Sequence, residues 1–125
     1  MFCTLRILTT FALIQFTLIG KPFHVYSPSS KESTLWIVKA TPQGESLNFK
    51  VAKKVKFDFS GRVITAHPSK PLLYITATGG DPGKVTGAVV FLNKDGSYQK
   101  HQNINFNDGA CYLSLDRENR HILGV

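Results

Sequence analysis

Two short loops carry the residues best suited to hold a polar ligand. Ser60-Gly61-Arg62 and Asn107-Asp108-Gly109-Ala110 each lead into an apolar run. An arginine there can clasp an anionic substituent with its fork of N–H donors. A carboxylate such as Asp108 can orient a hydroxyl or a water, although Asp108-Gly109 also reads simply as a turn. Arg62 and Asp108 are therefore candidates for peripheral binding rather than for bond-making steps.

Other residues invite chemistry and decline it. Thr78-Gly79-Gly80-Asp81-Pro82-Gly83-Lys84 has the glycines and lysine of a phosphate-cradling loop, but Val85 stands where Ser or Thr is needed and no helical pattern follows. It reads as a loop between strands. His67 precedes Pro68 in a turn, and the residue in the same slot of the next unit is Asp116. Interchange of two turn-forming polar residues points to hydrogen bonding within the turn, not to a general base. His24, His101 and His121 have no metal-ligand spacing with one another or with acidic residues, so no metal or other cofactor is expected. Cys111 has no histidine partner at a recognisable distance and is expected to be a small buried side chain.

The elements that would position these residues are strands and turns. Phe23–Ser27 reads as a strand ended by Pro28-Ser29-Ser30. Leu35–Val38 is a second strand, and Pro42-Gln43-Gly44 turns the chain into a third from Leu47. Val63–Ala66, Leu72–Thr76, Ala88–Leu92 and a strand from Tyr98 follow, the last pair joined by Asp95-Gly96, a strong short hairpin signal. Cys111–Leu115 and His121–Val125 complete the chain. Lys50, Lys53, Lys54 and Lys56 form the one basic cluster. As a strand it puts Val51, Val55, Phe57 and Phe59 on one face and Lys50, Lys54 and Lys56 on the other. Lysines of that kind guard a sheet edge, and they lack the interleaved aromatics of a nucleic-acid surface.

These strands repeat. Phe59–Thr76 returns as Gly109–Gly124, with His67 and Asp116 49 residues apart. Thr34–Gly44 is echoed by Gly87–Gly96, with the closing glycines 52 apart. Self-similarity at this period in a strand-and-turn chain is the signature of propeller blades, each a four-stranded antiparallel sheet. The expected fold is all-β, with about two and a half blades over residues 21–125. A propeller is a closed ring, so the chain reads as the amino-terminal part of a larger one. With 42% apolar and 11% aromatic residues it has the material for a core.

Val25-Tyr26-Ser27-Pro28-Ser29-Ser30, the Gly44 hairpin, Ala66-His67-Pro68-Ser69-Lys70-Pro71-Leu72-Leu73-Tyr74 and Cys111-Tyr112-Leu113-Ser114-Leu115-Asp116 resemble the lactonase family of seven-bladed β-propellers. That family includes bacterial 6-phosphogluconolactonase and the fungal carboxy-muconate lactonising enzyme, and the resemblance covers residues 23–125. It implies hydrolysis of a sugar lactone, with 6-phosphogluconolactone the family's named substrate. The family's proposed catalytic His, Arg and Glu lie in middle blades, so the counterparts are expected beyond Val125 and these 125 residues are expected to be inactive alone. The implied partner is a small sugar lactone, with no nucleic acid. The other class open to this sequence is an exported, non-enzymatic propeller that binds a sugar, peptide or protein.

Residues 1–20 read as an export signal. Met1–Arg6 supplies a positively charged start, and Ile7–Gly20 a run of fourteen uncharged, mostly apolar residues, too short to span a bilayer as a helix. An amino-terminal anchor or a misplaced start codon is the competing reading. A cleaved signal implies a secreted or periplasmic protein with no membrane contact thereafter. Without it the protein is cytoplasmic. A reporter fused to residues 1–27 is expected to leave the cytoplasm, with a mature product beginning between Lys21 and Ser30 by amino-terminal sequencing. A full-length reporter retained inside would remove the export reading.

Overall fold

The computed structural model describes residues 20–78, 83–105 and 110–125. Nine strands occur among them: β1 (Phe23–Ser29), β2 (Thr34–Gln43), β3 (Ser46–Lys56), β4 (Gly61–Ala66), β5 (Leu72–Ala77), β6 (Gly87–Leu92), β7 (Tyr98–Ile104), β8 (Leu113–Leu115) and β9 (Ile122–Gly124). No helix occurs among the described residues, and so none long and apolar enough to cross a membrane. The export segment expected at residues 1–20 lies outside the described residues but for Gly20.

Every pair is antiparallel between neighbours in sequence, which gives three meanders ordered β1-β2-β3, β4-β5-β6-β7 and β8-β9. The repeat holds at the level of register. Ile64, Thr65 and Ala66 face Ile75, Tyr74 and Leu73 in the second sheet. Leu113, Ser114 and Leu115 face Gly124, Leu123 and Ile122 in the third, each partner 49 residues later. The turns match too: the His67 N–H donates to the Leu72 carbonyl at 2.9 Å and the Asp116 N–H to the His121 carbonyl at 3.0 Å.

Local signals moved in three places. β1 runs through Pro28 to Ser29 instead of turning there, because it is the edge strand of its sheet and an edge tolerates a missing N–H. The turn falls later, with Ser33 at φ 51°. Asp95-Gly96 does close a hairpin, but within a longer loop. The Asn93 N–H donates to the Ser97 carbonyl at 2.8 Å, and Gly96 alone takes positive φ, at 87°. The Asp95 carboxylate accepts from the Ser97 hydroxyl at 2.6 Å and its N–H at 3.0 Å, and these bonds hold Asp95 below the usual carboxylate range.

The third change is in β3. Register shifts between Ile37 and Val38, so that Lys53 faces Ile37, Val51 faces Val38 and Ala52 is the extra residue of a bulge. Side-chain direction inverts across it. Val55, Phe57 and Phe59 are buried as expected, but Val51 is exposed and shares its face with Lys54 and Lys56. The expectation that Val51 and Val55 share a face fails for that reason.

The core lies between the first two sheets. Leu35, Ile37 and Val55 pack against Leu73, Ile75, Ala88 and Val90, and Phe57 and Phe59, stacked at 5.0 Å, seal the end near the β3–β4 connection. Each fully buried large side chain contributes roughly 1.5–3 kcal/mol. Tyr26 and His24 bridge the sheets at the opposite end. The Tyr26 hydroxyl donates to the Gly96 carbonyl at 2.6 Å, and His24 Nδ1 lies 3.0 Å from the Asp95 carbonyl. Burial, and then the Asp95 charge, push the Tyr26 hydroxyl above its usual pKa. Ile75→Ala is expected to cost about 2–5 kcal/mol in urea unfolding. Tyr26→Phe is expected to cost about 0.5–1.5 kcal/mol, the net worth of one hydrogen bond.

Candidate functional site

A cleft of about 680 Å³ opens where the β1–β2 turn, the β3–β4 connection and the end of β5 meet. Its construction begins with alternation. Phe57 and Phe59 point into the core, so Asp58 and Ser60 between them point out, and the period continues with buried Gly61 and exposed Arg62. The Phe57 N–H donates to the Ser33 carbonyl at 2.8 Å, which ties the connection to the β1–β2 turn. Lys31 of that turn thereby reaches the cleft wall.

Arg62 owes its direction to a second bulge. Gly61 faces Ala77 and Val63 faces Thr76, which leaves Arg62 as the unpaired extra residue at the start of β4. Its Nη1 donates to the Thr78 hydroxyl at 3.3 Å, just past the end of β5. Gly61 permits the close approach beneath it. A Cβ at that position would sit 2.8 Å from Ile75 Cδ1 and 3.2 Å from the Phe59 ring. Thr86, buried at the floor, receives a bond on its carbonyl from the Thr76 hydroxyl at 3.0 Å and another from the Ala77 N–H at 2.8 Å. Those bonds fix the β5–β6 ends that carry Thr78 and Lys84.

Among the described residues the cleft is lined by the cations Lys31, Arg62 and Lys84 and the carboxylate Asp58, with the Ser60 and Thr78 hydroxyls beside them. Such a surface suits an anion with hydroxyl groups around it. Arg62 was legible as a candidate from its loop. Lys31 and Asp58 were not, although Phe57-Asp58-Phe59-Ser60 carries the period-two pattern that turns Asp58 outward, and Lys84 falls in the loop that the sequence reads as a plain connection between strands. Asp108 lies outside the described residues, as does most of the Thr78–Lys84 loop. The described chain resumes at buried Ala110, whose N–H donates to the Ala77 carbonyl at 3.0 Å.

His67 stands at the other end of β4, roughly 16 Å from Arg62 at 3.3 Å per residue. It is buried, and its Nδ1 accepts from the Ser69 and Lys70 N–H groups at 3.1 and 3.0 Å. Asp116 does the equivalent work one unit later, accepting from the Arg120 N–H at 2.7 Å and pairing with His121 Nδ1 at 2.9 Å. Both side chains replace missing backbone partners inside a turn. Cys111 departs from expectation, because it is exposed. It precedes β8, and its N–H is held by the Val125 carbonyl at 2.6 Å, which leaves its side chain outside the core. Among the described residues no three of His, Cys, Asp and Glu converge to hold a metal ion.

Comparison with known proteins adds nothing to this geometry: no protein-family model, curated protein or solved structure matches the chain.

The hydrogen bond from His121, joined by the Arg120 and His121 amides, holds Asp116 below the usual carboxylate range. A folded-state pKa below the unfolded one stabilises the turn above the ordinary value of 3.8, and that stabilisation fades as pH falls through the lower folded value. Protection of the β8–β9 amides, measured against their intrinsic exchange rates, is therefore expected to fall below about pH 4. In Asp116→Asn the exchange should be faster at neutral pH and should lose most of this acid dependence.

Proposed function

We propose that these sheets are blades of a lactonase-type β-propeller and that the cleft around Arg62 binds the anionic part of a sugar-lactone substrate. Hydrolysis adds water across the acyl C–O bond of the ring and yields the open-chain hydroxy acid. It needs a polarised carbonyl, a general base for the water, and cations for the anionic substituent. The reading assigns the last of these tasks to Arg62, with Lys31 and Lys84 beside it. Ser60 and Thr78 are placed to meet sugar hydroxyls. The base and the carbonyl-polarising groups are assigned to residues beyond Val125.

The observation that carries the reading is the bulge that turns Arg62 into a cleft holding two further cations. The register shared by β4–β5 and β8–β9 at a 49-residue offset supports the blade repeat. The family resemblance supplies the substrate class. An exported, non-enzymatic propeller that binds a sugar, peptide or protein partner is the second reading, and the Ser60 and Thr78 hydroxyls at the cleft serve it equally well.

Titration of the chain with 6-phosphogluconate, followed by amide chemical shifts, separates the two. Shifts are expected to cluster at Ser60, Arg62 and Thr78, with saturation weakened roughly tenfold or more in Arg62→Ala and little changed by a neutral sugar. One lost charge-assisted contact of about 1.5–3 kcal/mol corresponds to that change. Lactone turnover by these residues alone is expected to stay at the spontaneous rate. Binding of neutral sugar that is indifferent to Arg62→Ala would overturn the lactonase reading.

A further inference from the structure

The first sheet carries an unmatched row of cations on the face it turns toward the second. Tyr26 and Ile37 pack into the core from that face, so His24 and Lys39, two residues away on each strand, point the same way. Lys39 is the direct cross-strand partner of Lys50, and His24 completes the row on β1. Lys53, opposite Ile37 in the next row, holds its ammonium group 5.7 Å from the centre of the Tyr98 ring. The row stands at the open end of the space between the sheets, where His24 Nδ1 meets the Asp95 carbonyl of the β6–β7 hairpin. Lys39 and Lys50 are both exposed there.

Two lysines directly opposite on a ladder, with Cβ atoms about 5 Å apart, repel each other. Lys39 lies on the central strand of its sheet, so guarding an edge does not account for it. Carboxylates do not offset the charge either. Among the described residues none lies within ion-pair distance of Lys39, Lys50 or Lys53. The hairpin's own charges are Lys94 and Asp95, and the Asp95 carboxylate accepts from the Ser97 N–H and hydroxyl. Glu45 sits in the β2–β3 turn, roughly 16 Å along the chain from Lys50 at 3.3 Å per residue. Lys54 and Lys56 are on the other face, engaged by the Trp36 ring and the Glu32 carbonyl.

We propose that Lys39 and Lys50 form a site for a doubly charged oxyanion of the phosphate type, with Lys53 as the third cation. One anion between the two ammonium groups turns a repulsive pair into two charge-assisted contacts. A phosphate group has both the charge and the spread of acceptor oxygens to meet them. The site is at the opposite end of the sheets from Arg62 and stands apart from the lactonase reading.

Titration with inorganic phosphate, followed by amide chemical shifts in the full chain carrying Arg62→Ala, tests the site without interference from the cleft. Saturable shifts are expected at Lys39, Lys50 and Lys53, and potassium chloride at equal ionic strength should not reproduce them. Lys39→Gln and Lys50→Gln, added to that parent, should each weaken binding roughly threefold or more. Each should also raise the urea midpoint in phosphate-free solution, where the repulsion is uncompensated. Both should lose the extra stability that phosphate gives the parent. The opposed responses keep the test decisive, since a variant that merely misfolds is destabilised in both solutions. Vesicles of phosphatidylcholine, with and without a phosphoinositide, identify the source of the anion. Cosedimentation that needs the phosphoinositide and both lysines assigns it to a lipid headgroup, and phosphate shifts without cosedimentation assign it to a soluble ligand. Shifts that chloride reproduces, or that survive in the Lys39→Gln, Lys50→Gln double variant, would overturn the proposal.

Discussion

The packing of the first sheet on the second governs the rest of the molecule. Ile75 and Val90 on one side, and Leu35 and Ile37 on the other, are sealed from solvent only because the two meanders lie face to face. Neither sheet could hold its strands in one register alone, since a small antiparallel sheet needs a covered apolar face. The sites where charged side chains gather are by-products of that contact. Phe57 and Phe59 must reach the core from a connection rather than a strand interior, and their insertion throws Asp58 and Ser60 outward beside Arg62.

Two bulges accommodate this packing, and each redirects a functional or surface side chain. At Gly61–Val63 the extra residue is Arg62, freed from the ladder and turned toward Thr78. In β3 the extra residue is Ala52, and the inversion it causes sends Val51, Phe49 and Leu47 to the face away from the core. One bulge thus shapes the cationic cleft, and the other leaves Leu47, Phe49 and Val51 exposed on the outer face of the first sheet. Both follow from fitting twisted sheets against each other, where an inserted residue relieves strand mismatch at the cost of one ladder pair.

The turns show a different economy. His67 and Asp116 do the same task with different chemistry, one through an imidazole nitrogen and the other through a carboxylate oxygen. Each accepts backbone N–H groups that the tight turn leaves without carbonyl partners. The Asp116–His121 pair is open to solvent at the edge of the third sheet, whereas His67 is buried in its turn. Equivalent positions in a repeat need conserve only the capacity to accept.

The sequence by itself determined the strands, their antiparallel order and the 49-residue register, because alternation and turn chemistry act over a few residues and are written locally. His67 and Asp116 were legible as turn formers for the same reason, and Arg62 as a candidate by its place at the head of an apolar run. What only the tertiary structure decided was side-chain direction wherever the alternation slips. Val51 and Val55, four residues apart, belong on one face by counting and on opposite faces in the fold, since one inserted residue inverts a period of two. Cys111 was expected inside by residue type and lies outside, because its depth depends on where β8 begins. Lys31 and Lys84 come to the cleft from turns more than fifty residues apart. No local pattern encodes that meeting; the burial of Leu35, Ile37 and Ile75 between the sheets produces it.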